Sequence, residues 1–194
     1  MDRKKLDEKE RKFLLSLARR SIDHYLKSGS RMDIKPQEVP SKRLSEDGAC
    51  FVTLYEEGEL RGCIGTLEAN RPLVMDVIDN ALSSAFGDPR FPPLSKEELL
   101  KVKISISYLS KPEPFPVKDA KDLLAKLVPG KHGLIIQKGY ARATFLPVVW
   151  EQLPGKEEFL SHLCEKAGLA PDEWKDTESM EFFVYEAQEF GEDE

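Results

Sequence analysis

The sequence predicts an α+β fold, with mostly antiparallel sheet and flanking helices, on three observations. Apolar runs of strand length come in pairs joined by short glycine-containing links, which is the signature of hairpins. Stretches with apolar residues at three- and four-residue spacing lie between these pairs, not between single strands as a doubly wound parallel sheet would require. One run, from Val102 to Leu109, alternates apolar and polar residues cleanly, as a half-buried antiparallel strand does.

The elements follow in order. From Leu6 to Ser28, the residues Phe13, Leu14, Leu17, Ala18, Ile22, Tyr25 and Leu26 form one apolar helical stripe, with Gly29 as a left-handed cap. Residues 35–46 hold two prolines and little periodicity, and read as a loop. Cys50 to Tyr55 and Leu60 to Thr66 are two strands linked through Glu56-Glu57-Gly58-Glu59. Asn70 is expected to cap a helix that has Pro72 in its first turn and carries Leu73, Val74, Val77, Ile78, Ala81, Leu82 and Ala85 on one stripe. Residues 87–93 are too proline-rich to be regular, and Ser95 to Glu98 resembles a capping box. Beyond the alternating strand come a short helix from Asp119 to Leu127 and a hairpin turning at Gly139. A helix from Glu157 to Ala167 closes at Gly168, and a final strand from Met180 to Ala187 precedes an acidic tail.

At 194 residues the chain fits a single domain, with room for a smaller lobe inserted in its middle. The net charge of −6 disfavours bulk nucleic-acid binding. The basic residues Arg3, Lys4, Lys5, Arg11, Lys12, Arg19 and Arg20 interleave with acids and read as a solvated helix face. Cys50, Cys63 and Cys164 form no C-x-x-C pair, which points to a reducing compartment and away from structural zinc. No apolar run has the length of a membrane span and the N-terminus carries no secretory pattern, so a cytoplasmic protein without membrane contact is expected.

The most informative stretch is Leu60 to Thr66. Side chains alternate along a strand, so Leu60 and Ile64 are expected on the core face, with Arg61 and Cys63 together on the other. A guanidinium beside a thiol favours the thiolate, which would make Cys63 a nucleophile supported by Arg61. Cys63 as a small packing residue, with Arg61 paired elsewhere, fits the same spacing. Gly62 and Gly65 flank the thiol, and glycine inside a strand signals a bulge or close approach of something to the backbone. Asp88 and Arg90 lie in the proline-stiffened loop, where Arg90 can hold a carboxylate or phosphate, or the two can simply tie the loop down. His132 is the one loop histidine and the one candidate base for Cys63. No metal-ligand spacing, phosphate loop or dinucleotide fingerprint is present, so neither metal nor cofactor is expected.

The run Leu60-Arg61-Gly62-Cys63-Ile64-Gly65-Thr66 resembles the hallmark of the AMMECR family. The resemblance extends in order through residues 88–93, 130–134, 145–147 and from Phe159 to Trp174, and so covers most of the chain. One departure is Val148, where members of the family usually carry glutamine; any ligand contact made by that glutamine would be lost. The resemblance implies an α+β fold in two unequal lobes with the hallmark strand lining a cleft. It also implies association with a radical S-adenosylmethionine (SAM) enzyme and a Memo-like protein, and it supplies no settled activity.

Three functions are therefore open. The protein is a thiol-dependent enzyme using Cys63, Arg61 and His132, with Gly62, Gly65, Asp88 and Arg90 shaping the site. Or it is a non-catalytic binding module or adaptor for a small molecule, nucleotide or protein partner. Or it reads a single-stranded RNA base in a small pocket.

Overall fold

The structure is a computed structural model in which residues 5–192 are described. Arg3 and Lys4, part of the basic cluster noted above, lie outside them. Two compact units are present among the described residues, one running up to Leu109 and resuming at Gln188, the other comprising residues 110–187.

The first unit opens with α1 (Glu8–Ser28), capped by the Asp7 carboxylate in a complete capping box with Glu10 and closed by Gly29 at φ 70°. Leu14, Leu17, Ala18 and Ile22 of its stripe are buried, whereas Tyr25 is exposed. Two short 3-10 turns occupy the proline-containing stretch expected as loop, and Leu44 in the second is fully buried. Strands β1 (Ala49–Glu56) and β2 (Glu59–Gly65) form the expected hairpin. Glu57 and Gly58 both adopt positive φ, 53° and 87°, as the tightest hairpin turns require.

Helix α2 (Leu73–Phe86) follows, but Asn70 does not cap it. Pro72 occupies the cap position, because the chain just before the helix is tied down in extended form. Gly48 N–H donates to the Arg71 carbonyl, Leu73 N–H donates to Glu46, and Asp47 bridges to Pro72. The short α3 (Lys96–Leu99) has the predicted capping box between Ser95 and Glu98. Strand β3 (Lys103–Leu109) buries Ile104, Ile106 and Tyr108, as its alternation demands.

In the second unit are β4 (Glu113–Pro114), α4 (Ala120–Lys126), β5 (Gly133–Lys138), β6 (Ala141–Phe145), α5 (Lys156–Lys166) and β7 (Glu181–Tyr185). Its core gathers Leu123, Leu134, Ile136, Trp150, Phe159, Leu160, Leu163 and Trp174, with Trp150 stacked on Phe159 at 3.7 Å between ring centroids.

The expected final strand is in fact two. Glu186 interrupts it, its backbone exchanging hydrogen bonds with Ser110, and β8 (Ala187–Gly191) begins immediately beyond. The two halves join different sheets, ordered β2-β1-β3-β8 and β4-β7-β5-β6. Residues expected in an acidic tail therefore form an edge strand, with Phe190 buried and Glu192 paired to Arg19 at 2.5 Å. The architecture is α+β with antiparallel sheets. Among the described residues no helix is long and apolar enough to cross a membrane.

Candidate functional site

Strand β2 lies at the edge of its sheet, and almost every residue of the 60–66 run is held by a specific partner. The register explains the first surprise. Thr53 faces Cys63 and Leu54 faces Gly62, yet Tyr55 faces Leu60, so Arg61 is the extra residue of a β-bulge. The bulge shifts the alternation by one residue. Leu60, expected in the core, is 38% exposed, while Arg61 is buried.

Arg61 therefore does not support the thiol. Its Nε donates to Glu98 at 2.9 Å and its Nη2 to the Pro92 carbonyl at 2.9 Å, with the guanidinium over the Phe91 ring. Arg61 in turn holds the Glu98 carboxyl down at about 2, helped by the Ser95 backbone. The expected pairing of Arg61 and Cys63 on one strand face is corrected to a structural ion pair between β2 and α3.

The two glycines sit where other groups approach the strand closely. A Cβ on Gly62 would stand 2.2 Å from the Ser84 carbonyl oxygen of α2, so Gly62 is where the helix backbone touches the strand. A Cβ on Gly65 would stand 2.2 Å from the Phe51 ring. Ser84 Oγ also bridges the strands, accepting from Ile64 N–H at 2.9 Å and donating to the Val52 carbonyl at 2.7 Å. Thr66 Oγ1 donates at 2.6 Å to Asp76, a buried carboxylate that also accepts from Cys50, Arg71 and Asn80. Burial, and then the charge of Asp76, push the Cys50 thiol well up.

Cys63 lies at the centre. Asp88 Oδ2 accepts its N–H at 2.9 Å, and Arg90 Nη2 donates to its carbonyl at 3.2 Å. Asp88 and Arg90 are themselves joined, Nε to Oδ1 at 2.9 Å and Nη2 to Oδ2 at 2.6 Å. The Arg90 guanidinium holds the buried Asp88 carboxyl far below the usual carboxylate range. Asp88 in turn raises the Arg90 guanidinium above its ordinary value. Both outward backbone groups of an edge-strand residue are thus satisfied by one acid–base pair, a device that also blocks pairing with another chain.

The thiol itself projects on the face turned away from α2, beside Thr53, whose Oγ1 donates to Sγ at 3.2 Å. Ser105 pairs with Thr53 across the next strand and Ser107 with Phe51, so this face is rich in small polar groups. Cys63 is half-buried, whereas Cys50 and Cys164 are buried; all three are free thiols.

His132 belongs to the second unit. Its Nδ1 accepts the Val128 N–H at 3.2 Å, its ring meets Phe115 edge-on, and burial followed by the neighbouring Lys131 pushes its pKa down. The structure gives Cys63, Asp88 and Arg90 a common site, removes Arg61 into packing, and ties His132 to its own loop.

Thr53, Ser84, Glu98 and Phe91 were missed. Period-two pairing could have suggested Thr53, since it faces Cys63 across the hairpin. Nothing local signals that Glu98, read as a cap, also serves Arg61. Among the described residues no three His, Cys, Asp or Glu side chains converge as a metal site.

Comparison with known proteins finds relatives over nearly the whole chain. A protein of Methanopyrus kandleri is 43% identical across 98% of this chain and 92% of its own length. One of Methanocaldococcus jannaschii is 40% identical across 93% and 89%. The crystal structure of an uncharacterized protein from Pyrococcus horikoshii superposes with a TM-score of 0.88 at 37% identity, covering 96% of this chain and 93% of that one. The AMMECR1 family model matches residues 15–190, and the chain belongs to the AMMECR1 family.

Proposed function

We propose that the protein works through a thiol-centred site at Cys63, presented to a small-molecule or nucleotide ligand in the cytoplasm. In this reading it is a thiol-dependent enzyme acting with a radical SAM enzyme and a Memo-like protein, the partners that the family resemblance suggests. One observation carries it: the Asp88–Arg90 pair clamps both backbone groups of Cys63 and so fixes its half-buried thiol, to which the Thr53 hydroxyl donates. A nucleophile fixed to this degree meets the positioning requirement for covalent catalysis.

The test is Cys63→Ser in a reconstituted mixture with both partners. Turnover is expected to vanish, and full turnover in the variant would end the catalytic reading.

A second reading is favoured by a separate observation. Neither of the expected activators is available in the described geometry, because Arg61 is bound to Glu98 and the His132 Nδ1 accepts from Val128. A non-catalytic binding module or adaptor needs no base. It predicts that Cys63→Ser leaves complex formation intact while Arg90→Gln weakens it, measured by calorimetry with the purified partners.

A further inference from the structure

We propose that the ligand of the Cys63 site carries an anionic group, a carboxylate or phosphate, which Arg90 receives beside the thiol. The inference rests on the reading of Cys63 as a presented thiol and adds a ligand class to it.

Arg90 is placed for this by contacts that use only part of its guanidinium. Nε and Nη2 are bound to Asp88, and Nη2 also reaches the Cys63 carbonyl. Nη1 has no partner among the described residues, and the side chain is 53% exposed while the Asp88 side chain is 1% exposed. The carboxylate therefore holds the guanidinium from the buried side and leaves donor capacity toward solvent. The Phe91 ring lies 5.5 Å from the guanidinium carbon and limits its freedom further. A planar fork immobilised on one edge loses little entropy when a second oxyanion meets the other. The link to the thiol runs through a single residue, since Arg90 is anchored to the backbone carbonyl of the cysteine that carries Sγ.

Sequence alone leaves Arg90 either an oxyanion holder or a tie for its loop, and sets Arg61 beside the thiol. The structure reverses that second placement. Arg61 is buried with Glu98 and the Pro92 carbonyl as its partners, whereas Arg90 stands half in solvent.

The test compares two alkylating reagents on the native full-length protein, iodoacetate and iodoacetamide. In both, the thiolate displaces iodide to form an S–C bond, so the ratio of the two rates cancels the thiolate fraction and reads only the preference for charge. 2-Mercaptoethanol, a neutral small thiol, sets the reference ratio. Adducts at Cys63 are followed by mass spectrometry.

At low ionic strength the iodoacetate-to-iodoacetamide ratio at Cys63 is expected to exceed the reference by about threefold to tenfold. It should fall toward the reference in 1 M salt, where screening reaches contact distance, and in Arg90→Gln. The salt series needs no variant, so a poorly folded Arg90→Gln does not remove the test. Reaction with both reagents at the reference ratio, unchanged by salt, would overturn the anionic ligand and leave the thiol site standing. A native Cys63 inert to both reagents would remove the thiol site and this inference together.

Discussion

The two long hairpins of this protein are alike in sequence and unlike in construction. In the second unit, β5 and β6 pair without interruption from Leu134 opposite Phe145 to Lys138 opposite Ala141, around a glycine at φ 59°. In the first, β1 and β2 pair from Phe51 opposite Gly65 to Glu56 opposite Glu59, but the register slips at Arg61. The regular hairpin keeps its backbone ladder whole, and side chains from elsewhere meet only its carbonyls and side chains, with Tyr185 on Phe145, Lys166 on Thr144, and Glu173 and Asp176 on Lys138. The slipped one is held by side chains from elsewhere: Asp88 and Arg90 on Cys63, Ser84 on Ile64, Glu98 on Arg61 and Asp76 on Thr66. Irregular backbone over-determined by its surroundings is the usual condition of a functional strand, and the contrast can be broken experimentally from several sides.

The largest effect should come from the closest approach. Gly62→Ala would drive a Cβ to 2.2 Å from a helix carbonyl. Neither backbone can retreat without losing the packing of α2 on the sheet, so the loss should reach about 3 kcal/mol or more. Gly139→Ala in the regular hairpin meets open space and contends only with its positive φ, a penalty of about 1 kcal/mol. Denaturant unfolding, followed by probes in each unit, would show whether the two differ as expected.

Next comes the buried arginine. Glu98→Gln leaves the Arg61 guanidinium without its counter-charge and should cost about 2 kcal/mol, below the range for fully buried pairs because Glu98 keeps some solvent contact. The pH dependence has a definite sign. The Glu98 carboxyl is held at about 2 in the folded state against an ordinary 4.5, and Asp88 also lies below its ordinary 3.8. Their contribution is complete above these ordinary values and fades as pH falls toward 2. Acid titration of stability should therefore slope downward below about pH 4.5 in the wild type, and less steeply in Glu98→Gln.

A smaller effect is expected from Asp88→Asn, which keeps size but removes the charge that organises Arg90 and accepts the Cys63 N–H. A loss of about 1–2 kcal/mol is expected. The more telling readout is amide hydrogen exchange, which should quicken at Cys63 while the amides of β5 stay as they are.

Much of the fold was legible because it depends on local patterns. The Ser95 cap, the Gly29 and Gly139 turns and the alternation of β3 all follow from residues within a few positions of one another. What escaped depends on distant partners. The Asn70 cap yielded to Pro72 because the backbone near Glu46 and Gly48 holds the approach to α2. The last strand divided at Glu186 because its halves pair with different sheets. At the candidate site, the loop carrying Asp88 and Arg90 was legible, but their grip on the Cys63 backbone was not. The exchange of roles between Arg61 and Arg90 turns on one unpaired residue, and period-two reasoning cannot see a bulge before the register is known.

The central claim is that Cys63 is a presented thiol and the other two cysteines are packing. Iodoacetamide labelling of the native protein, resolved by residue in the mass spectrometer, tests it most directly. The account predicts an adduct at Cys63 alone, with Cys50 and Cys164 reacting only after denaturation. A Cys63 that stays unmodified until the protein unfolds, in step with the buried pair, would contradict it.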